Sequence, residues 1–119
     1  DAEPIPVGIM VEVPAAAVRA SDFVDLIDFA SIGTNDLTQY TTATDRGNGV
    51  VAHLARADAP AVLDLIAMTC AALAPTPVAV CGDLASDTTM TGTLISLGVS
   101  ELSVRAPLVG LVKQAVRRA

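Results

Sequence analysis

The chain has 119 residues, a length for one domain, and 52% of them are hydrophobic, enough to bury a sizeable core. Aromatics make up only 3% and the formal net charge is -6 with no Lys/Arg run, so nothing favours base stacking or phosphate attraction, and nucleic acid is not an expected partner. No apolar run reaches the roughly 20 residues that span a bilayer, no basic-then-apolar signal layout opens the sequence, and Cys70 and Cys81 lack zinc spacing; a cytoplasmic location, no membrane partner and reduced thiols are expected.

Val7-Gly8-Ile9-Met10-Val11-Glu12-Val13 is nearly continuous in apolar residues, which predicts a parallel strand covered on both faces. Pro14 ends it and suits the first position of a helix over 15–20. A second strand near 27–32 runs into Gly33-Thr34-Asn35-Asp36, where small hydrogen-bonding residues abruptly replace apolar ones. Gly47-Asn48-Gly49 marks a break, and Pro60 opens a long helix over 61–73 that Pro75 and Pro77 close. Val78-Ala79-Val80-Cys81 predicts a third strand with a turn at Gly82-Asp83. A helix over 88–97, a fourth strand over 101–104 and a last helix from Pro107 complete a βαβαβαβα order, with Arg117 and Arg118 in the final turn.

That alternation predicts a parallel sheet with right-handed crossovers. The unusual polar residues fall at strand ends: Glu12, Thr34-Asn35-Asp36, Cys81-Gly82-Asp83 and Arg105. Barrels of the (β/α)8 TIM type keep their chemistry there, but need eight strands and usually about 250 residues. Four βα units predict half of such a barrel, across residues 1–119.

If the first and second strands are adjacent, Glu12 and Asp36 sit on neighbouring strand ends and, without a histidine, describe a hard-cation site, with Mg²⁺ the best match. Singly, Asp36 reads as a helix N-cap and Glu12 as an edge charge; beside Asn35 the pair reads as a site. Asn35 has both a donor and an acceptor for a carboxylate or phosphoryl oxygen. Arg46 has the planar fork suited to such anions, against the alternative of a solvated loop arginine paired with Asp45. Cys81 closes an apolar strand at the same end, and without an activating His-Asp pair a neutral thiol fits a general acid better than a nucleophile. Cys70, in a helix among small and apolar neighbours, reads as a buried small hydrophobe. His53, the single histidine, reads as structural.

Met10-Val11-Glu12-Val13-Pro14-Ala15-Ala16, Phe29-Ala30-Ser31-Ile32-Gly33-Thr34-Asn35-Asp36-Leu37-Thr38-Gln39-Tyr40, Asp45-Arg46-Gly47-Asn48 and Val80-Cys81-Gly82-Asp83-Leu84-Ala85 occur in this order. Together they resemble the C-terminal phosphoenolpyruvate-binding domain of enzyme I of the bacterial sugar phosphotransferase system, from about Val7 to Lys113. Pyruvate phosphate dikinase and phosphoenolpyruvate synthase share much of the second motif, but Asp45-Arg46-Gly47-Asn48 is closer to enzyme I. The resemblance implies Mg²⁺ at Glu12 and Asp36, phosphoenolpyruvate held by Asn35 and Arg46, and Cys81 protonating the enolate to give pyruvate. It also implies a histidine acceptor on a separate N-terminal domain, transfer onward to the phosphocarrier protein HPr, and homodimerisation. The family usually has Glu where Asp83 stands, Gly where Ser86 stands, and serine near Val104 and Arg105. The alternatives are a non-catalytic scaffold or dimerisation module of the same family, or a fragment of a pyruvate phosphate dikinase- or phosphoenolpyruvate synthase-type enzyme. The 119 residues alone are expected to fold, to be inactive, and to self-associate through open edges and an apolar inner face.

Overall fold

The computed structural model describes residues 3–119. Four short apolar runs form the strands β1 (Gly8–Val11), β2 (Phe29–Gly33), β3 (Val78–Cys81) and β4 (Glu101–Leu102) of one sheet, all parallel and in the order β1-β2-β3-β4. Spatial order equals chain order, so every crossover steps one strand in the same direction. With crossovers of one hand, this sends all the helices to one face of the sheet. The helices are α1 (Pro14–Val18), α2 (Thr34–Thr42), α3 (Pro60–Leu73), α4 (Asp83–Ser86), α5 (Thr91–Ser96) and α6 (Val109–Val116).

The side-chain alternation of the strands shows which face is covered. Val11, Ala30, Ile32, Val78 and Val80 are buried, in one core with Leu37, Val62, Ile66, Leu73 and Leu94 of the helices. On the opposite face Met10 is 50% and Phe29 43% exposed. The both-faces-covered expectation therefore fails for this chain. Nor is the open face the apolar slab expected of it. One row across it, in register from β1 to β4, is Met10, Ser31, Ala79 and Glu101, and the ring of Phe29 lies where a Cβ on Gly8 would sit. Small and polar residues alternate with two large apolar ones, which leaves room above the sheet.

Element ends moved where local hydrogen bonding overrode apolar pattern. The first strand, expected to reach Val13, stops at Val11 because Pro14 starts α1 at its first position with Val13 as the flanking extended residue. The helix expected from Thr88 begins at Thr91: the Asp87 carboxylate accepts from both the backbone N–H (2.9 Å) and the hydroxyl (2.6 Å) of Thr89, holding a turn there. The last helix is a single-turn 3-10 segment, Ala106–Leu108, followed by α6. The fourth strand is two residues long, although the Ser103 N–H still reaches the Val80 carbonyl at 2.9 Å. Among the described residues no helix is long and apolar enough to cross a membrane.

Candidate active site at the strand C-termini

Strand β2 passes into α2 with no intervening loop, and Gly33 is the residue that permits it. A Cβ there would lie 2.9 Å from Glu12 Oε2, 3.1 Å from Glu12 Cβ and 3.2 Å from Met10 Sδ. The absent side chain is thus the space into which Glu12 leans from the end of β1. Asp36 is not the N-cap of α2: the helix starts at Thr34, and Asp36 lies within its first turn. A carboxylate near a helix N-terminus is favoured by the partial positive charge of the unpaired N–H groups.

Two strand-end motifs are stapled together. The Thr34 hydroxyl, fully buried, donates to the Cys81 carbonyl at 2.6 Å. The Asp83 backbone N–H donates to Asn35 Oδ1 at 3.0 Å. Between them Gly82 has φ 91° and ψ -169°, a region open in practice only to glycine. A Cβ on it would lie 2.6 Å from Thr34 Oγ1 and 2.8 Å from Asn35 Oδ1. Two consequences follow for the sequence expectations. Asn35 is oriented by this bond, which uses one of the two lone pairs of its Oδ1, and its amide N–H groups have no protein partner among the described hydrogen bonds. Asp83 makes this bond through its main chain, so a side chain one methylene shorter than the usual Glu leaves the bond intact.

Arg46 pairs with Asp36 rather than with Asp45: Nη2 lies 3.2 Å from Asp36 Oδ1, while Asp45 Oδ1 accepts from the Gly47 N–H at 2.7 Å. The two side chains are 50% and 35% exposed, so the pair adds only about 0–1 kcal/mol to stability; its importance is where it puts the guanidinium. Asn35, Arg46 and Asp83 line a depression of about 450 Å³, walled by Ala52, Ala55 and Ala57. Thr38, whose buried hydroxyl has no protein partner, lines it too.

Cys81 is the register partner of Gly33 on the open face. Its thiol donates toward the Ile32 carbonyl at 3.5 Å and lies 4.0 Å from Met10 Sδ. Cys70 is buried in α3, as expected, and burial pushes its thiol pKa up. His53 is exposed in a 3-10 turn, Ala52–Leu54, so it is not part of the core. Arg105 is exposed beyond β4. The structure thus gathers Asn35, Asp36 and Arg46 into one cluster, with Glu12 and Cys81 along the neighbouring strand ends. Sequence reasoning placed Thr34 and Gly82 in the strand-end motifs without giving them a role, and gave none to Gln39; a threonine between an apolar strand and a polar helix, and a glycine directly after a strand, were the available signals.

Among the described residues no group of three or more His, Cys, Asp or Glu side chains is placed to hold a metal ion. Glu12 and Asp36 offer oxygen donors only, the type that Mg²⁺ takes, usually one or two carboxylates beside water and substrate oxygens.

A family model described as PEP-utilising enzyme, PEP-binding domain, matches residues 1–119. This chain belongs to that family. A phosphoenolpyruvate-protein phosphotransferase of Cupriavidus necator is 47% identical over 115 residues, covering 95% of this chain and 20% of its own length. One of Haloferax volcanii is 48% identical over 111 residues, with 92% and 20% covered. A multiphosphoryl transfer protein of Rhodobacter capsulatus is 45% identical over 118 residues, with 98% and 14% covered. The chain spans about a fifth or less of the length of these relatives.

Proposed function

We propose that this chain is the C-terminal half of a (β/α)8 barrel in a phosphoenolpyruvate-protein phosphotransferase, and that its strand ends bind phosphoenolpyruvate and protonate the enolate left after phosphoryl transfer. The observation that carries this reading is the staple from Thr34-Asn35 to Cys81-Gly82-Asp83, which joins the Asn35 amide to the strand end that bears the Cys81 thiol; the separate Asp36–Arg46 pair adds a guanidinium beside α2. Sequential strand order with helices on one face supports a half-barrel, because a doubly wound sheet reverses its order and carries helices on both faces.

Asn35 directs its amide N–H groups at a phosphoryl or carboxylate oxygen, because such oxygens accept and the Asp83 N–H fixes the amide through Oδ1. The Arg46 fork binds the same anion, its guanidinium held by Asp36. Glu12 and Asp36 would hold Mg²⁺, which supplies charge neutralisation to the phosphate and enolate oxygens. Cys81 then acts on a different atom from the one that leaves. Its S–H bond breaks as the proton passes to the methylene carbon, the enolate oxygen becomes the keto oxygen of pyruvate, and the resulting thiolate regains a proton from water. The phosphoryl group goes to a histidine of a separate domain and onward to HPr, in the cytoplasm.

Phosphoenolpyruvate binding at increasing Mg²⁺ concentration tests the assignment. In the full-length enzyme Asp36→Ala should weaken metal-dependent binding by roughly 100-fold or more, beyond the 10–100-fold typical of outer-sphere partners. Unchanged Mg²⁺ dependence would sink it.

The 119-residue chain alone should fold, lack turnover and self-associate, the full-length enzyme being a homodimer. In the chain alone, the edge of β1 is unpaired, with Val7 60% and Met10 50% exposed beside it. The mixed open face contributes less than an apolar one would. Sedimentation velocity at micromolar concentration should find a dimer or larger species; a well-folded monomer would refute this.

A further inference from the structure

We infer that Gln39 is a positioning residue for Arg46, and this rests on the reading of Arg46 as a substrate-binding side chain. Helix α2 ends at Thr42, and Ala43 turns the chain away in the left-handed conformation, with φ 51° and ψ 35°. The residues that follow are tied to Gln39. Its main-chain carbonyl accepts from the N–H of Ala43, ending the helix, and from that of Thr44 at 3.1 Å. Its side-chain Oε1 accepts from the backbone N–H of Arg46, also at 3.1 Å. One residue thereby holds three N–H groups of the four-residue segment that delivers the arginine.

Gln39 lies three residues after Asp36 on the same helix, a spacing that puts both on neighbouring parts of one face. From that face Asp36 grips the guanidinium of Arg46 and Gln39 grips its backbone. The ion pair is half exposed and weak by itself, and a long side chain hung on a free loop would lose much rotamer freedom on closing around an anion. Anchoring the backbone removes part of that loss before substrate arrives. The effect is on binding: Gln39 does not meet the reacting atoms, and proton transfer from Cys81 proceeds independently of it.

Steady-state kinetics of the full-length enzyme separate this role from a general structural one. Gln39→Met keeps the length and removes the acceptor; it should raise KM for phosphoenolpyruvate about 3- to 10-fold, the range of one neutral hydrogen bond, with kcat within about 2-fold. Gln39→Glu retains an acceptor oxygen at the same reach and should restore most of the affinity. In an Arg46→Ala background, Gln39→Met should add nothing, because the side chain it positions is gone. A wild-type KM for Gln39→Met, or effects that multiply in the double variant, would overturn the inference. If Arg46→Ala alone left KM unchanged, the substrate-binding reading of Arg46 would fall, and the inference with it.

Discussion

Cys81→Ala in the full-length enzyme is expected to slow pyruvate formation about 10²- to 10⁴-fold, the usual contribution of a positioned general acid, while phosphoenolpyruvate binding changes little. The proton and the phosphoryl group leave from and arrive at different substrate atoms, so losing the thiol should strand the enolate without preventing its formation. Quenched-flow measurement of phosphoryl transfer beside coupled detection of pyruvate separates the two steps. Normal pyruvate production by Cys81→Ala would make Cys81 a small apolar residue that happens to sit at a strand end. Cys70→Ala is the matched control: that thiol is buried in α3, where burial raises its pKa and keeps it protonated, and its loss should leave turnover nearly intact.

Gly82→Ala should destabilise the chain by about 3 kcal/mol, since two independent costs add. The backbone at φ 91° and ψ -169° is strained for any residue with a Cβ, by about 1–3 kcal/mol. The new methyl would also collide with Thr34 Oγ1 and Asn35 Oδ1, breaking or lengthening bonds worth roughly 0.5–1.5 kcal/mol each. Denaturant unfolding of wild type and variant gives the difference. A loss below about 1 kcal/mol would mean that the two strand ends are not joined as described. Gly49, which has nothing within 4 Å of an added Cβ, should accept alanine at little cost.

The run of Gly33, Thr34, Asn35 and Asp36 illustrates how far residue types alone carry. Their chemistry announced a site, and the neighbouring strands placed it at a C-terminal sheet end. Their individual duties were not legible. Asn35 was read as both donor and acceptor toward a ligand, but nothing in its neighbours showed that its Oδ1 also accepts from a backbone N–H 48 residues away. For Arg46 the alternative to anion binding was pairing with adjacent Asp45, but Asp45 turns its own loop and Arg46 reaches back to Asp36 in the first turn of α2. Sequence distance favours the neighbour, and only the left-handed exit at Ala43 sends the arginine the other way.

From residue order by itself came the α/β alternation, the proline-led helices and the identity of the polar strand-end residues, because periodicity, proline geometry and hydrogen-bonding chemistry are local properties. The tertiary structure alone decided that the sheet runs β1-β2-β3-β4 with one face open, that small and polar residues share this face with Met10 and Phe29, and that Gly82 lies against Thr34 and Asn35. Those facts depend on strand register and on helices packed to one side. Register is set by contacts between residues far apart in the chain, and an apolar run reads the same whether one of its faces is covered or both.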